Sequence, residues 1–515
     1  MGQERLVVSG EFDTVDKLLA AAAAQAGERD AYVGADGRMT FAEWHLRSDG
    51  VADELRRRGV GRGDVVALVM PNSSDFAVVF AAVVKLGAVT TALNTRLGPR
   101  ELEAIAQTCS PQLVVRDADV GAPLLAGESL SMLRSELEGI YARTVVDPPR
   151  GQCYPADPVV IMWTSGTTGD PKGPYLDHRN LRAVSEAAGA MSAPADRRLV
   201  PTPFPHAGYM ARLWDQIYHL TTAVIGVVPW SVDSMLQQIL EEQVTVIGAV
   251  PTQWEKLVQV PGIDDLDLSF VRVGLSATAP AKPDLVERVK HVLGCPLVVR
   301  YAMTESPSIA GTEPDDPPDT QFRTVGRPQL GMEVSVLGAE GEVGMVRVRG
   351  ACVMRGYWND PARTAKAFDS EGWLLTGDLG YLDGNGNLVL AGRSSDMYIR
   401  GGYNVYPAEV EGLLATHPKV ANVSIVGTPA PTIGEIGVAF VVPVAGETPT
   451  LDELREFVRR NLADYKAPDA LQLIPELPAS AMHKVNRGAL REMAKASVAP
   501  EPLPVRGPGI AGTGH

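Results

Sequence analysis

Cysteine is scarce in this sequence: Cys109, Cys153, Cys295 and Cys352 are the only four, widely spaced and without a CxxC pair. That spacing excludes a disulfide framework and a cysteine zinc module, and predicts core thiols in a reducing cytoplasm. Positive charge is also in deficit, with 47 Lys and Arg against 62 Asp and Glu and a net charge of -15. A general nucleic-acid binder is thereby excluded, since nothing global would neutralise phosphates, and any polyanionic ligand needs a local site. Long apolar runs are missing too. Residues 77–84 form the longest candidate, which Lys85 interrupts, well short of the ~18–20 residues that span a bilayer. The first residues lack the basic start and cleavage site of a secretory signal. The alanine run 20–24 reads instead as the middle of an amphipathic helix over Val15–Ala26. No internal repeat is visible.

What is present is length and alternation. A chain of 515 residues exceeds the ~250–300 that one hydrophobic core supports, so two or more domains are expected. Through about residue 390, short β-branched apolar runs alternate with helical patterns. They give a strand at 65–70, a Ser-capped helix at 74–86 and a strand at 88–93. Further strand and helix pairs follow at 244–250 with 252–258 and at 271–275 with 281–293, then a strand at 297–302. Apolar strands buried on both faces and joined by helices predict an α/β fold, a multilayer domain of mainly parallel sheets. Gly-rich turns and alternation over 332–350 predict an antiparallel appendage. From 397 a smaller α+β set begins, with helices at 407–416 and 451–463 and strands at 423–426, 438–442 and 471–474. The Pro/Gly-rich tail from 500 reads as disordered.

One segment carries chemistry. TSGTTGDPKG (164–173) follows the apolar run 159–163 and holds Thr164, Ser165, Thr167 and Thr168, the glycines Gly166, Gly169 and Gly173, and Lys172. Glycines let successive N–H groups converge, hydroxyls add donors and the lysine adds a point charge, a set suited to phosphate oxygens. The GK[ST] order of a Walker loop is absent. With YAMTE (301–305), TGDLG (376–380), AGRSSDMYIRGGYNVYPAEVE (391–411) and Lys484, this loop resembles the adenylate-forming superfamily of acyl-CoA synthetases, peptide-synthetase adenylation domains and luciferases. The resemblance runs from about residue 12 to 487.

That resemblance implies an acyl-CoA ligase working through an acyl-AMP intermediate, with ATP/AMP, Mg²⁺ and coenzyme A as its small molecules. It implies an adenylate-forming domain at 1–395, a mobile domain at 396–499 and a hinge at Asp396. The loop 164–173 would clamp the β- and γ-phosphates of ATP. Tyr301 would stack on adenine, beside a wall at 274–280 that includes Ser276 and Ala277. Thr304 and Glu305 would hold phosphate and Mg²⁺, which commonly takes one carboxylate plus nucleotide phosphates. Asp378 would accept both ribose hydroxyls, with Arg393 as a further contact. Lys484 would supply positive charge where carboxylate and α-phosphate meet. Rotation about Asp396 would then bring Gly401 and Gly402 over the adenylate, where the pantetheine arm needs close backbone approach.

The segment PTPFPHAGYM (201–210) has no carboxylate to hold an amino group, so amino-acid substrates are not expected; His206 stands where acyl-CoA ligases have a gate. Small residues Gly208, Gly274, Ala302 and Ser306, with Ala277, suggest a roomy pocket for a bulky alicyclic, aromatic or medium-to-long acyl acid. The partners expected are that acid or its adenylate and CoA, with a carrier protein's pantetheine arm as an alternative acceptor, in a monomer or homodimer. Departures from the pattern bear on adenylation: His483 in place of glycine before Lys484, Pro174 after the loop, and Asp177 adding negative charge near the pyrophosphate exit. Ala302 and Arg300 are smaller ones. These define an alternative, a thioesterification-only ligase acting on preformed acyl-adenylate. A non-catalytic acyl-AMP binder is a further alternative, against which Lys484 and Glu305 both stand.

Overall fold

The computed structural model describes residues 7–95, 97–118, 130–143, 145–149, 152–165, 171–276, 283–339, 341–401, 403–430, 433–479 and 485–497. The chain divides into two compact units, Met1–Thr376 with Gly380–Leu390, and Gly377–Leu379 with Ala391–His515.

In the first unit, strand Val65–Val69 is buried along its whole length and pairs in parallel with Val89–Ala92 on one side and Leu113–Arg116 on the other. Leu130–Leu133 and Pro158–Met162 extend this parallel core outward. The antiparallel strands Pro174–Asp177 and Gly356–Tyr357 then close one edge of a seven-stranded sheet. A second, nine-stranded sheet has a parallel centre that includes Thr222–Ile225, Arg197–Val200, Val246–Ala249, Val273–Ser276 and Leu297–Met303. Ser306–Gly311 folds back antiparallel on Leu297–Met303, and Arg327–Pro328 pairs outside it at the edge. The α/β expectation holds, and so does the appendage: Met332–Leu337 pairs antiparallel with Gly344–Gly350.

The helix at the longest apolar run starts one residue after Ser73, whose hydroxyl accepts from Phe76 N, and every residue of Ser74–Lys85 except Asp75 is buried. A helix apolar all round belongs inside a large domain as readily as in a bilayer. Lys85 belongs to that interior: it is 3% exposed, and its ammonium donates to Asp49 Oδ1 at 2.6 Å and His45 O at 2.8 Å. Among the described residues no helix is long and apolar enough to cross a membrane. The four cysteines are buried and free. Burial pushes the thiols of Cys109, Cys295 and Cys352 up to about 12, which leaves them unreactive.

The second unit is built on a long hairpin, Val420–Ala430 against Gly434–Pro443. The expected strands 423–426 and 438–442 are only its buried middle. Its flanks alternate with exposed residues and so carry no apolar run. Period-two alternation splits the hairpin's faces. Ile425, Ala439 and Val441 pack with Val410, Leu414, Leu454 and Val458, while Val426, Val438 and Phe440 pack with Leu490 and Ala494. Helices Pro407–Leu414 and Leu451–Asn461 therefore cover one face and Arg487–Ser497 the other. Ala479 and Val485 form an isolated antiparallel bridge.

Candidate active site

Strand Pro158–Met162 delivers Trp163 and Thr164 at its carboxyl end, the side of a parallel sheet where ligands bind. Thr164–Ser165 then pairs with Pro171–Lys172, setting Thr164 opposite Lys172 and Ser165 opposite Pro171. The turn of this loop, with Gly166, Thr167, Thr168 and Gly169, lies outside the described residues, as do Ala277, Gly402, His483 and Lys484. Trp163 fixes the loop's base: its indole N–H donates to Thr91 Oγ1 at 2.6 Å. A Cβ on Gly173 would stand 2.8 Å from Ile161 and 3.1 Å from the Trp163 ring, so this glycine makes room for an indole. Among the described residues Thr164 Oγ1 is buried without a hydrogen-bond partner. Such an orphan is rare in native proteins and suits a ligand's oxygen.

The strands Leu297–Met303 and Ser306–Gly311 are joined by Thr304 and Glu305, because Met303 pairs with Ser306. Tyr301 is buried on the first strand and Ser276 is buried at the end of the neighbouring one. Glu305 is 5% exposed, and a carboxylate so buried costs several kcal/mol unless compensated. Two partners compensate it. Lys172 Nζ lies 3.6 Å from Glu305 Oε1, and the Tyr357 hydroxyl donates to the same oxygen at 2.9 Å. Lys172 Nζ also sits 5.5 Å from the centroid of the Tyr357 ring, a cation–π contact. Burial, and then the Glu305 charge, push the Tyr357 phenol up, so it remains a donor.

Among the described residues no group of three or more His, Cys, Asp and Glu could hold a metal ion by itself. One buried carboxylate beside a cationic, hydroxyl-bearing loop base instead fits a hard divalent ion that arrives with a nucleotide's phosphates.

The AMP-binding enzyme family matches residues 19–358, and the AMP-binding enzyme C-terminal domain matches 409–484. A Rhodococcus jostii ligase named for a methyl-dioxo-octahydroindenyl-propanoyl group and CoA is 33% identical over 94% of this chain and 99% of its own. The long-chain-fatty-acid–CoA ligase FadD13 of Mycobacterium tuberculosis is 32% identical over 90% of this chain and 94% of its own. ATP-bound MatB from Rhodopseudomonas palustris superposes with a TM-score of 0.86 at 27% identity, over 94% of this chain and 100% of MatB. The chain belongs to the AMP-binding enzymes. It is an AMP-forming acid–thiol ligase of their acyl-CoA branch, and ATP/AMP, a carboxylic acid and CoA are that family's small molecules.

In this ligase the other expected site residues fall in several places. Asp378 is 6% exposed and its Oδ1 lies 2.9 Å from Arg393 Nε, so the second unit itself joins those two. Asp396 lies 2.8 Å from Arg491 and 3.5 Å from Arg487. Gly401 has φ +58 at the turn between Tyr398–Arg400 and Tyr403–Val405, a conformation that favours glycine. His206 caps the short helix Ala207–Met210, its Nδ1 accepting from Gly208 N at 3.1 Å; a Cβ on Gly208 would approach that nitrogen to 3.3 Å.

The described small residues differ in burial and in what they touch. Ala302 and Gly208 are exposed, and Ser306 is buried with its hydroxyl donating to Ser308 O. Gly274 is filled in by Trp254, whose ring would lie 2.9 Å from an added Cβ. Its missing side chain therefore accommodates an indole of the core, not a ligand.

The departures resolve unevenly. Asp177 was expected to add charge near the pyrophosphate exit. It is instead wholly buried and caps helix His178–Glu186, accepting from Asn180 N at 2.9 Å, with Arg179 and Arg355 donating at 2.6 and 2.9 Å. Pro174 opens strand Pro174–Asp177, a position where a strand tolerates proline. Arg300 donates to the carbonyls of Val299 and Thr312. Tyr357 is the residue that sequence reading misses. RGYW (355–358) stands far from both motifs, and only strand pairing brings it to them.

Proposed function

We propose that the chain ligates a bulky carboxylic acid, alicyclic, aromatic or medium-to-long acyl, to coenzyme A through its acyl-adenylate. The observation that carries the site is the 3.6 Å approach of Lys172 to Glu305, which joins the hydroxyl-rich loop to the acidic turn. The named substrates of the Rhodococcus and Mycobacterium relatives support the bulky class.

In this reading Thr164, Ser165, Gly166, Thr167, Thr168, Gly169 and Lys172 hold the β- and γ-phosphates. Tyr301, Ser276 and Ala277 hold adenine, Asp378 and Arg393 the ribose, and His206 gates the acid. Glu305, with Thr304 and the nucleotide's phosphates, would hold Mg²⁺, which supplies charge neutralisation for the departing pyrophosphate. The acid's carboxylate attacks the α-phosphorus and pyrophosphate leaves, with Lys484 offsetting the repulsion of two anions. The second unit then turns about Asp396, Gly401 and Gly402 admit the pantetheine arm, the thiolate attacks the acyl carbon and AMP leaves.

His483 beside Lys484 supports a second reading, a ligase that performs only the thioester step. ATP–pyrophosphate exchange with a panel of acids, measured apart from thioester formation on synthetic adenylates, decides between them. Exchange with bulky acids supports the full reaction; exchange fastest with acetate sinks the bulky class. Absent exchange with intact thioester formation favours the second reading. Free CoA against a carrier protein as acceptor, in the same assay, fixes the thiol.

A further inference from the structure

We propose that Tyr357 is a positioning residue for adenylation, its hydroxyl aiming the Glu305 carboxylate and its ring seating the Lys172 ammonium. This rests on the ligase reading above and extends it to a residue outside the motifs. Three segments meet here: Lys172 from the loop base, Glu305 from the two-residue turn, and Tyr357 from the edge strand Gly356–Tyr357.

Among the described residues the two side-chain contacts on Glu305 fall on the same oxygen, Oε1, which leaves Oε2 to face a cation. They differ in kind. The lysine is an opposite charge, which a nucleotide's phosphates would draw toward themselves. The phenol is a neutral donor with no such competing partner. It therefore holds the carboxylate in one orientation after the lysine has turned to phosphate. Partners of this kind orient carboxylate ligands and tune their affinity for metal.

The scaffold around Tyr357 is built for that task. Tyr357 is 7% exposed and its N–H donates to Thr364 Oγ1 at 2.9 Å. Pro174 pairs with it across the strand, and Trp358 N donates to Gly173 O at 2.8 Å, tying the edge strand to the end of the loop. Gly356 has φ +154, and a Cβ there would strike Thr364 at 2.9 Å. The tyrosine has little freedom to move away.

Two variants separate its two contacts. Tyr357→Phe keeps the ring and removes the donor; Tyr357→Leu removes both. Calorimetry of a non-hydrolysable ATP analogue, with and without Mg²⁺, reads each contact directly. The expected result for Tyr357→Phe is an unchanged affinity without Mg²⁺ and about a tenfold loss of affinity with it. Pyrophosphate exchange should recover as Mg²⁺ is raised. Tyr357→Leu should weaken binding under both conditions. Thioester formation from synthetic acyl-adenylate, which involves no pyrophosphate, should match the wild type in both variants and so reports a folded enzyme. Wild-type Mg²⁺ dependence in Tyr357→Phe, or equal losses in the two half-reactions, overturns the proposal. If the wild-type chain neither binds the analogue nor exchanges pyrophosphate, the ligase reading fails instead.

Discussion

Asp177 shows how far one side chain's meaning depends on where its oxygens point. In the sequence it is a carboxylate just past a phosphate loop, and so an electrostatic obstacle to pyrophosphate. In the fold its oxygens serve a helix N-terminus and two guanidiniums, and a buried paired charge projects little field. Removing it should therefore cost stability more than rate. For Asp177→Ala, loss of the cap contributes about 1 kcal/mol and loss of the ion pairs somewhat more, so the urea midpoint should fall by the equivalent of about 2 kcal/mol. Pyrophosphate exchange per folded molecule should stay unchanged. Faster exchange in the variant would restore Asp177 as a brake on adenylation. Gly274 teaches the same lesson from the opposite side: a glycine in a pocket motif can answer to a tryptophan that sequence does not reveal beside it.

At the scale of elements, much of the architecture was legible. A strand buried on both faces must be a run of apolar residues, and Val65–Val69 and Pro158–Met162 read that way. The ends of the long hairpin in the second unit were not legible, because half-exposed flanks leave no run. Nor were contacts between elements. Helix Val15–Ala26 has Thr14 as N-cap with no side-chain cap bond, and its first N–H donates instead to His178 Nδ1, at 3.1 Å, on another helix. An accepting Nδ1 requires a neutral ring, and burial pulls the His178 pKa down from 6.5 to about 4. The folded value lies below the unfolded one, so the unfolded chain binds the extra proton. This contribution is complete above about pH 6.5 and is lost as pH falls toward 4. Between pH 7.5 and 5 the wild type should lose about 2 kcal/mol from this group. His178→Gln should be less stable at pH 7.5 yet show a shallower decline, read from urea unfolding at both pH values. Parallel declines in the two proteins would remove His178 as the cause.

At the scale of the whole molecule, two units carry the motifs in chain order, and the second is tied end to start. Arg487 opens its last helix and donates to Ile425 O at 2.8 Å, with its Nη2 2.7 Å from Glu411 Oε2 and its Nε 3.5 Å from Asp396 Oδ2. Arg491, one turn on, reaches Asp396 Oδ1 and Ser395 O. The helix that follows Lys484 in sequence is thus fixed to the residues that begin the unit and to the hairpin at its centre. Glu411 accepts in addition from Ile425 N and Ser424 Oγ, and losing its guanidinium leaves a poorly compensated charge, a loss of about 3 kcal/mol. Arg487→Met should therefore speed amide exchange along Val420–Ala430 and Gly434–Pro443 by about a hundredfold, the factor that such a loss implies for opening of this unit. Strand Val65–Val69 of the first unit should keep its protection. With Lys484 carried just ahead of a loosened helix, pyrophosphate exchange should fall while the nucleotide analogue still binds. If exchange protection in the hairpin is unchanged, the Arg487 pairs are surface decoration, and the helix Arg487–Ser497 is held by Leu490, Ala494 and the Arg491 contacts.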